Sequence, residues 1–172
     1  ELIESLASHI SLDGSANWEH VSLENLCERV RMALAREISD SCAQLTWETR
    51  NLSAYCIAPE IAQLLQNLVA NSIKYAGDTV PRVHIDVREK EGGVHIAVSD
   101  NGVGIPEAFR KTVFAPFKRL QQTASLPGSG LGLATCQKVA KRHGGDIWCG
   151  DEAQSGTTIH LTLKARPDAP DQ

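Results

Sequence analysis

Two adjacent segments alternate strictly between apolar and polar residues, and this pattern constrains the fold more than any other feature of the chain. The segments VPRVHIDVREK and GVHIAVSD are joined by a Glu-Gly-Gly turn, which predicts an antiparallel hairpin. One face of this hairpin carries valine and isoleucine, and the other carries polar residues: His84, Asp86, Arg88 and His95. A sheet with one apolar face is covered on one side only. We therefore expect an α+β fold of two layers, with helices over one face of a mixed, mainly antiparallel sheet.

Three segments show the periodicity of amphipathic helices, with apolar residues three or four positions apart. The first, SLENLCERVRMALAREIS, begins at the N-cap Ser22, and the second, PEIAQLLQNLVANSIKYA, has Pro59 in its first turn. The third, LATCQKVAKRHGG, carries three residues in its last turn that we expect to be cations: Lys141, Arg142 and His143. Further strands are predicted in QLTWE, DIWCG and TTIHLTLK.

The length of 172 residues suits one domain, which we expect to span residues 21–164. Residues 1–20 are predicted to form the end of a preceding helix and a linker. Residues 165–172 are predicted to form a disordered tail. The chain begins at Glu1 without methionine, and we expect it to be a piece of a longer protein.

Composition and charge argue against several classes of function. The net charge of −4 gives no overall positive field for nucleic acid or an acidic membrane. No apolar run approaches transmembrane length, and no signal peptide opens the sequence. The five cysteines form no Cys-x-x-Cys pair, which argues against zinc and a disulfide framework and favours a reducing cytoplasm.

The second helix contains two asparagines, which are poor helix formers and need an explanation. At about 100° per residue, four polar residues lie within about 40° of Asn67 around the helix axis: Glu60, Gln63, Asn71 and Lys74. A row of side-chain amides and an ammonium suits a hard cation and phosphate oxygens, because Mg²⁺ takes oxygen ligands. The alternative is a solvated face above an apolar core face, as in most surface helices.

Two glycine-containing segments are candidates for ligand contacts. In DNGVGIP, Asp100 can accept a hydrogen bond from an exocyclic amine, and Gly102 and Gly104 permit close approach of the backbone. The alternative is a simple Asp-Asn-Gly turn. The second segment, PGSGLGL, has three glycines before a helix: Gly128, Gly130 and Gly132. Free N–H groups at a helix start attract phosphate, although a flexible loop with a helix cap is the alternative.

The segment between them, EAFRKTVFAPFKRLQQTASLP, holds all three phenylalanines and four basic residues against one acidic residue. A basic segment with apolar anchors, flanked by glycines, can close over a polyphosphate as a lid. The alternative is a surface helix whose phenylalanines pack on the core.

Five segments in order resemble the sequence boxes of one family. QNLVANSIKY, DNGVGIP, VFAPFKR, GSGLGL and SGTT are similar to the N, G1, F, G2 and G3 boxes of sensor histidine kinase catalytic domains. These domains share a superfamily with gyrase, mismatch-repair and chaperone ATPases. The resemblance covers residues 21–164 and implies a Bergerat-type α/β sandwich with ATP as substrate and Mg²⁺ as its metal ion.

The resemblance also implies the partners of such a domain. The γ-phosphoryl group of ATP would pass to a histidine on a helical dimerisation hairpin, and then to a response regulator receiver domain. None of the six histidines stands in the acceptor pattern H-[ED]-x-x-x-P, so the hairpin is expected upstream of this chain. The resemblance implies a cytoplasmic location, with a parent protein that is free or membrane-anchored. The fragment itself is expected to be monomeric.

Catalytic roles follow from the resemblance at matching positions. Asn71 is expected to coordinate Mg²⁺, while Asn67 and Lys74 contact the waters on that ion or the phosphate oxygens. Arg119 is expected to reach the phosphates.

Nucleotide contacts are implied in the same way. Asp100 is expected to accept the adenine amine, supported by Thr157 through water, and Phe114 and Phe117 to anchor the lid. Further contacts are expected from Tyr75, Gly102, Gly104, Ile105, Phe117, Gly128, Gly130, Leu131, Gly132 and Leu133.

The residue at position 67 bears on the reaction. Superfamily members that hydrolyse ATP have glutamate there, because water needs a base. A neutral imidazole already offers a lone pair near pH 7, so Asn67 favours transfer to histidine. Glu60 lies two turns away, about 10 Å, which is too far for it to substitute. Three alternatives stay open: an anti-sigma-type serine/threonine kinase, a non-catalytic nucleotide-binding module and a gyrase-like ATPase.

One departure from the family pattern concerns the start of the second helix. The chain has Ala58-Pro59 where the family often has Asp-Pro. Because alanine offers no side-chain acceptor, we expect a weak cap at this helix start.

Overall fold

The predicted hairpin lies at the centre of a five-stranded sheet in the computed structural model, which describes residues 17–118, 130–150 and 156–165. In chain order the elements are β1 (Glu19–Ser22), α1 (Leu23–Ala33), α2 (Ala35–Ser41), β2 (Gln44–Glu48), β3 (Ser53–Cys56), α3 (Ala58–Lys74), β4 (Arg82–Lys90), β5 (Gly93–Asp100), a 3₁₀ turn (Glu107–Phe109), α4 (Gly132–Arg142), β6 (Ile147–Cys149) and β7 (Thr158–Lys164).

The large sheet has the strand order β2-β4-β5-β7-β6. Strands β4 and β5 pair antiparallel from Val83 opposite Asp100 to Lys90 opposite Gly93, which confirms the predicted hairpin. Strand β7 pairs antiparallel with both β5 and β6. Strand β2 runs parallel to β4. The sheet is therefore mixed and mainly antiparallel, as predicted.

Helices cover the apolar face of this sheet. Val83, Ile85 and Val87 of β4 are each at most 2% exposed and join one core with the buried faces of α1, α3 and α4. On the opposite face of the same strand, His84 and Arg88 are exposed. This arrangement confirms the two-layer α+β architecture. It also positions the site, because α3 and the start of α4 lie beside the ends of β5 and β7.

The first predicted helix is divided in two at Leu34. Ser22 caps α1 as expected, accepting from the backbone N–H of Asn25 at 3.4 Å. Leu34 leaves the helical conformation (φ −102°, ψ 18°) and is 8% exposed, whereas α2 has no buried residue. The break therefore keeps Leu34 in the core while α2 runs along the surface.

A second, two-stranded sheet was not predicted. Strands β1 and β3 pair antiparallel, with His20 opposite Tyr55. The ring of Trp18 stacks on Tyr55 at 5.7 Å between centroids and lies 4.7 Å from the His143 ring. The segment expected to be a linker up to residue 20 is thus partly a strand, and its tryptophan packs against the domain.

His143 was expected to be a cation at the end of a helix, and this prediction is wrong. The side chain is 1% exposed, its Nε2 accepts from the backbone N–H of Ile57 at 3.1 Å, and its Nδ1 lies 2.8 Å from the carbonyl of Val139. Burial lowers the pKa of His143. Both ring nitrogens are satisfied in the neutral tautomer that donates from Nδ1, so the residue is an uncharged part of the core.

Both predicted terminal segments, the helix end near the start of the chain and the tail after Ala165, fall outside the described residues. Within the described ranges, no helix combines the length and the apolar character needed to cross a membrane.

Candidate nucleotide-binding site

A cavity of about 590 Å³ opens between α3, the end of β5 and the segment that follows β5. Seven residues that the sequence analysis singled out line it: Asn71, Tyr75, Asp100, Gly104, Ile105, Leu133 and Thr157. They come from four of the five boxes, which lie far apart in the sequence. A cavity of this size is in the range of small-molecule sites.

The carboxylate of Asp100 is held by three hydrogen bonds. Its Oδ1 accepts from the backbone N–H groups of Gly102 at 2.9 Å and Thr157 at 3.0 Å. Its Oδ2 lies 3.0 Å from the hydroxyl of Ser72. Burial raises the pKa of Asp100, and the three hydrogen bonds oppose that rise. Asp100 is thus a fixed acceptor in the cavity wall, which suits an exocyclic amine.

The contact of Thr157 with Asp100 is direct and comes from the backbone. The family resemblance implied support through a water molecule. Because β5 ends at Asp100 and β7 begins at Thr158, the antiparallel pairing of the two strands brings this N–H to the carboxylate.

Glycine is required at position 102 for a reason internal to the protein. A Cβ atom there would lie 2.4 Å from the carbonyl oxygen of Tyr75, which accepts from the N–H of Val103 at 2.9 Å. Gly104 adopts a positive φ of 78°, and a Cβ there would lie 3.1 Å from the carbonyl of Gly156. These glycines let the loop after β5 pack backbone to backbone against its neighbours.

The polar row on α3 separates into different environments. Asn71 lines the cavity. Asn67 instead lies beside Cys136 on α4, whose thiol donates to the carbonyl of Leu64 at 3.7 Å. Burial raises the pKa of Cys136 to about 12. Glu60 accepts from Arg142 at 2.8 Å, also on α4. The Nζ of Lys74 lies 4.9 Å from the centre of the Tyr75 ring. Helix α4 therefore covers the first half of the row, which includes Glu60 and Asn67. The cavity begins at Asn71.

The start of α4 lies beside this row. Gly130 has a φ of 72°, Leu131 is 2% exposed as the N-cap residue, and no side chain of the described residues caps the helix. A Cβ at Gly132 would lie 3.9 Å from the Asn67 side chain. Helix starts attract anions, because their N–H groups and the helix dipole point towards a ligand there.

The two phenylalanines expected to anchor a lid differ from each other. Phe114 is 4% exposed and belongs to the core. Phe117 is 69% exposed and adopts a φ of 61°, which is rare for a bulky residue. Its N–H donates to the carbonyl of Gly130 at 3.0 Å. Arg119 and Gly128 lie outside the described residues.

Sequence reasoning missed part of the cavity wall. The missed residues are Leu68, Ser72, Val103 and Ile159, whereas Ala108, Phe109, Thr112, Val113 and Lys118 belong to the segment that was predicted to form a lid. Only Ser72 carried a usable signal, since serine is disfavoured inside helices and this one is 7% exposed. The other three are apolar side chains with no distinguishing pattern.

The side chains that line the cavity fit a Mg²⁺ ion that is bound mainly by phosphates and waters and only in part by the protein. Asn71 offers an amide oxygen to the cavity, whereas Asp100 is engaged by its hydrogen bonds. Mg²⁺ typically takes one or two protein oxygens, with phosphates and waters. Among the described residues, the one group of three possible metal-binding side chains, Glu48, His84 and Asp86, lies on the uncovered sheet face.

Fold and site together define a nucleotide-binding domain of a known class. The chain belongs to the family described as histidine kinase-, DNA gyrase B-, and HSP90-like ATPases, whose model matches residues 57–167. ATP is the ligand that this family membership supports. Within the family, the similar proteins and structures include histidine kinases.

The phytochrome-like protein Cph1 of Synechocystis sp. is 30% identical over 164 residues, which cover 94% of this chain and 22% of that protein. Sensor histidine kinase WalK of Bacillus subtilis is 40% identical over 116 residues, 65% of this chain and 19% of WalK. The chain therefore spans about a fifth of the length of these relatives.

Solved structures agree with this assignment. The catalytic domain of histidine kinase ThkA matches with a TM-score of 0.76 and 25% identity, over 88% of this chain and 99% of that one. ThkA in complex with the response regulator protein TrrA matches with a TM-score of 0.74 and 25% identity, over 95% of this chain and 47% of that one.

Proposed function

We propose that this chain is the ATP-binding catalytic domain of a two-component sensor histidine kinase. It transfers the γ-phosphoryl group of ATP to a histidine on a separate helical hairpin. The observation that carries the proposal is that Asn71 and Asp100, on α3 and at the end of β5, line one cavity together with Leu133 of the first turn of α4. One amide oxygen, one purine acceptor and one helix start are thus available to a single nucleotide.

Different residues of the cavity are proposed to contact the base and the phosphates. Asp100 accepts the adenine amine, and the apolar side chains of Ile105, Leu133 and Ile159 enclose the base. The start of α4, preceded by Gly130, receives the phosphates. Lys118, which lines the cavity, supplies positive charge from the lid segment. Outside the described residues, Arg119 is proposed to add to it.

Asn71 is proposed to hold Mg²⁺ together with the phosphate oxygens. When bound, the ion would neutralise charge on the triphosphate and help orient its terminal phosphoryl group. Asn67 and Lys74 are proposed to contact its waters or the phosphates.

The acceptor is proposed to be an imidazole outside this chain. Among the described histidines, His143 and His160 are 1% and 8% exposed and therefore unsuited to receive a phosphoryl group. Asn67 has no carboxylate to activate water, and the carboxylate of Glu60 is held by Arg142. Both features favour transfer to an imidazole, which needs no base, over hydrolysis.

The partners proposed are the dimerisation hairpin that carries this histidine and a response regulator receiver domain. The match to ThkA in complex with a response regulator supports the second. The domain is proposed to work in the cytoplasm, with or without a membrane anchor in the parent protein.

The proposal is tested by titrating ATP and Mg²⁺ into the protein in a calorimeter. Asn71→Ala and Asp100→Ala are each expected to abolish measurable binding while thermal unfolding shows a folded domain. Asn25→Ala, exposed on α1, and Asp40→Ala, whose side chain is 72% exposed, are matched controls expected to bind as the wild type does. Unchanged affinity in both site variants would refute the assignment.

The reaction is tested separately by adding a hairpin domain with a phosphoacceptor histidine. Label from [γ-³²P]ATP is expected on that histidine, with little hydrolysis when the acceptor is absent. Steady hydrolysis without an acceptor would instead favour a gyrase-like ATPase, and label on serine or threonine an anti-sigma-type kinase.

A further inference from the structure

Ser72 is a buried hydroxyl residue in the middle of α3 that faces the proposed purine acceptor. It is 7% exposed. Its Oγ lies 3.0 Å from Oδ2 of Asp100 and 3.1 Å from the carbonyl oxygen of Leu68, one turn earlier in the helix. The chain therefore offers one hydroxyl proton to two acceptors.

The carboxylate is the stronger of these two acceptors. The carbonyl of Leu68 belongs to a helix, where it can accept the backbone N–H four residues on. An ionised carboxylate forms shorter and roughly twice as strong hydrogen bonds as a neutral oxygen. The hydroxyl of Ser72 therefore donates to Asp100 whenever that carboxyl group is ionised.

The two oxygens of Asp100 have different hydrogen-bond partners. Oδ1 accepts the two backbone N–H groups of Gly102 and Thr157. Among the described residues, Ser72 is the hydrogen-bond partner of Oδ2. Oδ2 is consequently the oxygen with a lone pair left for a ligand, and Ser72 fixes its direction.

We propose that Ser72 is a positioning residue that holds Asp100 as a charged acceptor and thereby makes the site select a 6-amino purine over a 6-oxo purine. This inference rests on the proposed nucleotide-binding function. A 6-amino group donates to the carboxylate, whereas a 6-oxo group places a second acceptor against it. Discrimination of this kind is strong where buried polar groups would be left unpaired.

Other charged or titratable groups near Asp100 are few. The thiol of Cys149 on β6 interacts electrostatically with both Asp100 and Arg110, and burial raises its pKa, so it stays neutral below pH 8. Lys118 and Tyr75 line the same cavity.

The first test compares ATP with ITP, which differ in the 6-amino and 6-oxo groups and share the same triphosphate. Both are titrated with Mg²⁺ into the wild type and Ser72→Ala. We expect Ser72→Ala to bind ATP about tenfold more weakly and ITP within about twofold of the wild type, since a hydrogen bond to a charged group is lost. A parallel loss for both nucleotides, or an unchanged ratio, would overturn the role of Ser72.

Two further variants guard against a purely structural effect. Ser72→Thr keeps the hydroxyl and is expected to restore the selectivity for ATP. Ser99→Ala removes a hydroxyl one residue before Asp100, where it bonds Thr158 at 3.0 Å, and is expected to leave both affinities unchanged. If Ser72→Thr does not fold, the pH profile of Ser72→Ala decides.

That profile follows the ratio of ATP to ITP affinity from pH 8 to pH 5, in which the titration of the shared triphosphate cancels. Protonated Asp100 loses its preference for an amine and can donate to a 6-oxo group. Removing the donor that stabilises the carboxylate moves the fall in the ratio to higher pH in Ser72→Ala than in the wild type. Identical profiles would contradict the proposal.

Asp100→Asn separates the failure of this inference from the failure of the proposed function. If it leaves ATP binding unchanged, the nucleotide assignment itself is wrong. If Asp100→Asn abolishes the selectivity and Ser72→Ala does not reduce it, the site stands and only the role of Ser72 is refuted.

Discussion

The imidazole of His143, directly after α4, accepts a hydrogen bond at 3.1 Å from the backbone N–H of Ile57, directly before α3. Ile57 is the N-cap residue of α3, and no side chain of its own segment caps that helix. The weak cap expected from Ala58-Pro59 is thus offset by a tertiary contact. Helix α3 carries Asn71, and the start of α4 follows Gly130. Because the contact joins these two helices, it helps fix the walls of the site.

We predict that protonation of His143 opposes folding. Since burial lowers its pKa in the folded protein, the unfolded chain binds a proton first as the pH falls below about 6.5. Stability therefore falls as the pH drops from that value towards the lower folded pKa, by at most about 1.4 kcal/mol per pH unit. His95, whose pKa burial also lowers, adds to the same trend.

The measurement is urea unfolding of the wild type and His143→Gln at pH 7.5 and pH 5.5. The wild type should lose more stability between pH 7.5 and pH 5.5 than the variant. In the variant, only the other titratable groups contribute to the pH dependence of stability. Equal losses would show that His143 does not carry this pH dependence.

Phe114 and Phe117 are predicted to differ in their effect on stability. Phe114→Ala removes a buried ring from the core and should cost about 3 kcal/mol of unfolding free energy. Phe117→Ala removes a ring that is 69% exposed and should change stability by less than about 0.5 kcal/mol. Denaturant unfolding of the two variants checks this. Similar losses would mean that Phe117 packs on the domain in solution.

Gly102 and Gly132 form a second contrasting pair. Gly102→Ala puts a methyl group 2.4 Å from the Tyr75 carbonyl and should cost about 1–3 kcal/mol, with weaker ATP binding because the loop that holds Asp100 must shift.

Among the described residues, Gly132→Ala meets ordinary contacts near 3.9 Å. Because alanine is the better helix former, stability should rise by up to about 1 kcal/mol. Thermal unfolding measures both variants. A loss for Gly132→Ala as large as that for Gly102→Ala would contradict the geometry at the start of α4.

The sequence predicted the sheet better than its surroundings. Strict alternation over two long segments left little choice for β4 and β5, since a shift of one residue would expose every valine. Strands β1 and β3 are four residues each and carry no comparable pattern. The break at Leu34 had no glycine or proline to announce it, because the cause is packing of that side chain against distant residues.

The site was predicted in part for a related reason. Helical periodicity showed that Asn67 and Asn71 share a face, but it could not show what covers that face. Helix α4 covers Asn67 through Cys136, and the cavity takes up Asn71. Ser72 lies about 100° away from Asn71 around the helix, and its role depends on a strand 28 residues further on.

The three tryptophans lie away from the wall of the cavity. Trp18 stacks on Tyr55, Trp47 donates to Glu24 at 2.7 Å, and Trp148 lies 5.2 Å from the His160 ring. None of them is among the described residues of the cavity wall. Intrinsic fluorescence at indole wavelengths therefore reports on the periphery of the domain. Any change in that emission on adding a nucleotide would signal a rearrangement transmitted beyond the ligand itself.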